Sequence, residues 1–190
     1  MFDLEGLPPQ LDELEKVYLW GLQVYGQHPG PYQAATAGLG PDGARKGWED
    51  FLQLAGNIFT EYGDVPFVHW SHYERTKLDL YIARFGDQNG VADRVRRNLL
   101  DLLPITQQAL VLPLPSYSLK VIEKYIGFQR SMPEANGEWA MAKYIEAIET
   151  EDEREREHLM ASIRAYNEED LKAMWAVFLW LRNKKREGAR

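Results

Sequence analysis

Cysteine is absent from the 190 residues. That excludes disulfides, a thiolate nucleophile, and zinc or iron–sulfur sites ligated by cysteine. It also fits a reducing, cytoplasmic setting. No run of about 18 apolar residues occurs, so no segment reads as a membrane span. The N-terminus lacks the basic region and apolar stretch of a signal peptide. The glycine-rich segment 38–43 lacks the GxxxxGK[ST] spacing of a phosphate-cradling loop. Histidine is scarce, with four residues, and His69 and His72 stand in HxxH spacing without the intervening glutamate of a zinc protease. Positive charge is also short: 22 Lys and Arg against 29 Asp and Glu leave a formal net charge of −7. A broad sequence-independent grip on nucleic acid needs many phosphate-neutralising cations. The balance argues against such a grip, but not against an enzyme that brings positive charge in as metal ions.

What is present is enough for one domain with a substantial core, since 45% of the chain is hydrophobic and 12% aromatic. The chain opens on Met1-Phe2-Asp3-Leu4-Glu5. Read as a strand, it puts Asp3 and Glu5 on one face, with Phe2 and Leu4 on the other. Two carboxylates about 6–7 Å apart on a strand suit a divalent-cation site. Like charges brought to about 4 Å cost about 4 kcal/mol at an effective dielectric of about 20, so converging carboxylates call for cations or protons between them. A strand beginning this close to Met1 leads to the expectation that the chain is a module of a longer protein.

Further along, residues 6–14 read as a loop. Residues 16–25 read as a second strand, with Val17, Leu19 and Gly21 on one face and Tyr18, Trp20 and Leu22 on the other. Residues 32–37 form a weaker third strand, completing a meander. Residues 44–62 have a helical apolar stripe that stops at Gly63. Residues 65–70 form a buried strand parallel to the first, and Ser71 is the N-cap of the next helix. Residues 91–103 begin as a helix and end extended, and Pro104 limits any helix beyond them. Helices follow at 118–126 and 137–148. Thr150 and Glu153 form a capping box for a helix to about Ala165. A last helix runs from about Asn167 to Arg182, ahead of a basic tail at 184–190. The order of elements indicates an α/β fold, a central mixed β-sheet with helices on both sides.

Three stretches carry chemistry: Asp3-x-Glu5; His69-Trp70-Ser71-His72-Tyr73-Glu74; and Tyr166-Asn167-Glu168-Glu169-Asp170. On a continuous helix Tyr166 and Asp170 share a face. If Asn167 caps a new helix, Asp170 falls at its third position, and both geometries suit a site. Glu74 has an ordinary alternative in pairing with Arg75 or Lys77. Asp101 reads as structural or supporting, and Lys120 as solvated or phosphate-contacting.

Asp-x-Glu at the start, an apolar strand ending in His-x-x-x-Tyr-Glu, and Tyr-x-x-x-Asp near the end resemble the DEDD exonuclease superfamily, which has the ribonuclease-H-like fold. Phe2 to Gly6, Tyr18 to Gly21, His69 to Glu74, Asn98 to Pro104, Ser116 to Lys120, Gly127-Phe128 and Tyr166 to Leu171 more closely resemble the YprB-type ribonuclease-H-like domain. That domain occurs fused to RecB-like (Cas4-like) nuclease domains. Each motif alone is weak; their order and spacing together are specific and span nearly the whole chain. The resemblance implies a 3′–5′ exonuclease acting on single-stranded DNA or RNA, with two Mg²⁺ or Mn²⁺ ions held by Asp3, Glu5, Glu74 and Asp170. It implies that Tyr166 orients the attacking water. His69 and His72, by their place at a strand-to-helix junction, read as hydrogen-bonded structural groups or substrate contacts rather than ligands, and Lys120 as a candidate substrate contact. Glu74 departs from the aspartate usual at its position. That departure sets up the competing expectation of a catalytically weak or inactive module that binds nucleic acid or a partner nuclease.

Overall fold

The computed structural model describes residues 1–11 and 14–188, with side chains described through residue 184. Strands β1 (Phe2–Leu7), β2 (Lys16–Leu22) and β3 (Gln33–Thr36) form an antiparallel meander in the order β1-β2-β3. After helix α1 (Gly40–Tyr62) come β4 (Phe67–His69) and α2 (Tyr73–Phe85). A short 3₁₀ turn then leads into α3 (Val91–Arg97), β5 (Leu99–Asp101) and α4 (Leu102–Ala109). The chain ends in α5 (Leu119–Tyr125), α6 (Gly137–Glu149) and α7 (Glu153–Gly188). β4 and β5 pair in parallel, with Phe67 opposite Leu99 and His69 opposite Asp101. The two ladders are separate in hydrogen bonding. They meet through side chains, the rings of Phe2 and Phe67 lying edge to face at 5.8 Å.

Helices cover both faces of the meander, as an α/β layering requires. On one face Phe2, Leu4, Trp20 and Leu22 pack against Trp48, Phe51 and Ala55 of α1 and Leu78 and Tyr81 of α2. On the other, Leu7, Tyr18 and Leu19 meet Ala140 and Tyr144 of α6 and Ile163 and Tyr166 of α7. A third cluster joins Val68 and Trp70 to Ile122 of α5 and Leu171, Met174 and Val177 of α7. Each fully buried large side chain of this kind contributes about 1.5–3 kcal/mol.

Several boundaries differ from the pattern reading. Strict alternation in β2 puts Val17 with Leu19, but the register of β1 on β2 shifts between Glu5 and Gly6, opposing them to Leu19 and Val17. Tyr18 is the extra residue of a bulge, so Val17 joins Trp20 and Leu22 in one core while Tyr18 joins Leu19 in the other. β1 continues to Leu7, β2 ends at Leu22, and α1 begins four residues early, on Pro41 in its first turn. Pro104 does not stop a helix. It falls in the first turn of α4, where its missing N–H has no intrahelical partner to lose. Ser71 is not the N-cap of α2. His72 holds that position, and Ser71 takes a left-handed φ of 81°. The proposed two helices after residue 150 are one, α7. Asp152, rather than a Thr150–Glu153 box, accepts the N–H groups of Arg154 and Glu155 at its start. α7 also absorbs the basic stretch as far as Gly188; the last two residues of that stretch lie outside the described part.

Candidate metal centre

β1 and α7 build the centre between them. The alternation of β1 turns Asp3, Glu5 and Leu7 toward α7, while Phe2 and Leu4 enter the opposite core. Because α7 is continuous, Tyr166 and Asp170 lie one turn apart on the face that meets β1. One carboxylate oxygen from each of Asp3, Glu5 and Asp170 lies within 4.8 Å of the others.

Asn167 locks this meeting. Its Nδ2 donates to Asp3 Oδ2 at 2.7 Å and reaches Glu5 Oε1 at 3.5 Å. Its Oδ1 accepts from the Tyr32 hydroxyl at 3.0 Å, which sets the amide so that the donor faces the acids. The side chain lies directly on Gly21 of β2, where an added Cβ would stand 1.7 Å from Asn167 Oδ1.

The acids repel one another and are withdrawn from water. Burial first, then the charges of Asp170, Glu5 and Glu74, push the Asp3 carboxyl well above its ordinary range. Burial and Asp170 push Glu5 up to about 8, against the opposing hydrogen bond from Asn167. Asp170 is raised by burial although Arg130 pulls it down. Tyr166 is buried, and its hydroxyl is raised by burial and by the charges of Asp170, Glu5 and Asp3.

The other residues singled out from sequence divide. Glu74 is buried at the start of α2, close enough for Asp3 and Glu5 to feel its charge. It is not part of the converging group of three; its Oε2 lies 3.3 Å from Nδ1 of the buried His69. Lys120 of α5 reaches the centre from the side, with Nζ 5.2 Å from the Tyr166 ring centroid while it donates to the Ala135 carbonyl. His72 is exposed at the head of α2, its Nδ1 3.3 Å from Ser71 Oγ. Asp101 acts through structure: its Oδ1 accepts the N–H groups of Ser71 and Leu103, tying the end of β4 to the cap of α4.

Three participants had not been given a role at the centre from sequence. Asn167 is one; its place three residues before Asp170 on a helical face was the available signal. Arg130 and Glu123 are the others. Arg130, from the loop between α5 and α6, puts Nη2 2.5 Å from Asp170 Oδ1. It also donates through Nε and Nη2 to the two carboxylate oxygens of Glu123, both at 2.7 Å. Nothing in the pattern around Arg130 marks a site; only the return of the loop to α7 does.

The family model RNase_H_2, described as RNase_H superfamily, matches residues 1–182. The chain belongs to the RNase H superfamily. No curated protein and no solved structure matches it. Membership in the RNase H superfamily supports hydrolysis of nucleic acid as the kind of activity. Three carboxylates form an all-oxygen donor set, which fits a hard divalent cation. The upward shifts of Asp3 and Glu5 give the physical reason, since burial and mutual repulsion disfavour their charged forms and a cation among them would offset both. No helix among the described residues is long and apolar enough to cross a membrane.

Proposed function

We propose that this RNase H superfamily domain is a divalent-cation-dependent 3′–5′ exonuclease acting on single-stranded ends of DNA or RNA. The observation that carries the reading is the meeting of Asp3, Glu5 and Asp170, with Tyr166 one turn before Asp170 on the same helix. The order of motifs, which resembles YprB-type DEDD exonucleases, supports the exonuclease form and its polarity.

In this reading Asp3, Glu5 and Asp170 hold the cation, Mg²⁺ or Mn²⁺ by donor chemistry. Such an ion supplies Lewis acidity to the phosphodiester and activates water at neutral pH. Asn167 aims the oxygens of Asp3 and Glu5. Tyr166 keeps its proton, because burial and three nearby carboxylates oppose its loss, and so positions the attacking water as a donor. Lys120 meets a phosphate, while His69 orients Glu74 beside the substrate and His72 stands at the exposed rim. A second ion would draw on Glu74, whose carboxylate is hydrogen-bonded to His69. A fused or associated RecB/Cas4-like nuclease partner in the cytoplasm completes the reading.

The competing reading is a binding module of low activity. What favours it is that Glu74 lies outside the converging group and Asp170 is already paired with Arg130. Digestion of 5′-labelled single-stranded DNA and RNA with Mn²⁺, beside Asp3→Ala and Asp170→Ala, separates the two. A ladder shortening from the 3′ end and lost in both variants is expected. Tight binding of the strands without cleavage would transfer the assignment to the module.

A further inference from the structure

We propose that Arg130 supplies the second positive charge of this centre and binds the scissile phosphate, so that Asp3, Glu5 and Asp170 hold a single divalent cation. This rests on the nuclease reading above. Arg130 is a built-in part of the centre. Its side chain is 5% exposed and its Glu123 partner 2%. Pulling it away would leave Glu123 charged and buried without a partner, which proteins avoid. The loop is pinned as well. Ser131 donates through N and Oγ to Glu169 Oε1 at 2.7 and 2.5 Å, so the neighbouring pairs Ser131–Glu169 and Arg130–Asp170 tie the loop to α7.

This anchored cation occupies one oxygen of Asp170. A single ion among the three acids can share Asp170 through the other oxygen. A second ion would have to take Oδ1 from Arg130 and stand beside a guanidinium, against like-charge repulsion. Glu74, the remaining acid, is hydrogen-bonded to His69. Of the Arg130 nitrogens, Nε and Nη2 are satisfied, while Nη1 is buried with no acceptor among the described residues. A buried N–H without a partner is costly and marks a place for an incoming acceptor. The guanidinium lies 5.9 Å from the Tyr166 ring centroid, and Lys120 lies over the same ring. Both cations therefore lie beside the Tyr166 ring, and in this proposal the phosphodiester is seated against them. Nη1, the nitrogen not committed to Glu123 or Asp170, is left to donate a charge-assisted hydrogen bond to a phosphate oxygen.

The test counts ions and weighs the strand separately. Calorimetric titration of the wild-type protein with Mn²⁺ is expected to show one ion per chain. The double variant Glu123→Gln/Arg130→Gln removes the buried charge of Glu123 together with its partner and frees Asp170 for the cation. It is expected to bind Mn²⁺ more tightly, and to bind a short oligodeoxythymidylate with a 3′-terminal phosphorothioate, in Ca²⁺, about tenfold more weakly or worse. Arg130→Lys keeps the charge without Nη1, so it should keep one ion and lose part of the oligonucleotide affinity; it carries the strand test if the double variant does not fold. Two Mn²⁺ ions per wild-type chain, or unchanged oligonucleotide affinity in a folded Arg130 variant, would overturn the proposal. Folded wild-type protein that takes up no Mn²⁺ would instead sink the nuclease reading on which it rests.

Discussion

Asn167 Nδ2 lies 2.7 Å from Asp3 Oδ2, joining residues 164 positions apart. The contact is possible because Gly21 has no Cβ. A methyl at that position would collide with Asn167 Oδ1. The second strand of the meander therefore decides whether the last helix can reach the first strand.

Gly21→Ala should expel the Asn167 side chain. The expected result is a loss of about 1–3 kcal/mol in stability from overpacking. Affinity for Mn²⁺ should fall about 10–100-fold, the usual range when an orienting partner of a ligand is lost. Asn167→Ala should reproduce the affinity loss without the overpacking. Urea unfolding and calorimetric Mn²⁺ titration measure the two effects separately. A Gly21→Ala protein that binds Mn²⁺ normally would show that Asn167 does not set the ligands.

Glu5 gives the protein a pH dependence whose sign follows from its shift. The carboxyl is pushed from 4.5 up to about 8, so the folded protein keeps a proton that the unfolded chain releases between those values. Its stability contribution is complete below about 4.5 and is lost as pH rises through about 8. Asp3, Asp170 and Glu74 are raised too, and act in the same direction. In EDTA, Glu5→Gln should therefore gain on the wild type as pH rises, by on the order of a few kcal/mol above pH 8. Saturating Mg²⁺ should close the gap by replacing the proton. Chemical unfolding across the range, with and without Mg²⁺, reads this; parallel wild-type and variant curves in EDTA would contradict it.

Tyr166→Phe removes only a hydroxyl. The ring packs against Trp139 with centroids 6.0 Å apart and stays in the core, so the melting temperature should change little. If the hydroxyl positions the attacking water, kcat on single-stranded DNA should fall about a hundredfold while Mn²⁺ affinity holds. An unchanged kcat would leave the tyrosine a packing residue.

Ser71 is held at φ 81°, a conformation that costs little only for glycine. Ser71→Gly should raise stability by about 0.5–1 kcal/mol. Asp101→Ala should lower it by about 1–2 kcal/mol, since Asp101 Oδ1 holds both the Ser71 N–H and the α4 cap. Thermal unfolding of the two variants tests both signs.

What the sequence by itself determined is local. The two-residue spacing of Asp3 and Glu5 puts them on one side of any strand, and the four-residue spacing of Tyr166 and Asp170 puts them on one side of any helix, because both periodicities belong to the backbone. The apolar stripe of α1 and the buried run at β4 were legible for the same reason. Where a competing local signal existed, the pattern failed. Asn167 looked like the start of a second helix, yet one uninterrupted helix runs from Glu153 past it, and its side chain finds its partners in Asp3 and Tyr32 rather than in its own backbone. The bulge at Tyr18 could not be read from alternation, since it appears only when β1 supplies the register. Tertiary structure alone decided that Asp170 meets Asp3 and Glu5, that Glu74 turns to His69, and that Arg130 returns from its loop to Asp170. Those pairings join residues far apart in the chain, and the energy that selects them, burial of charge against a specific partner, exists only once the layers have packed.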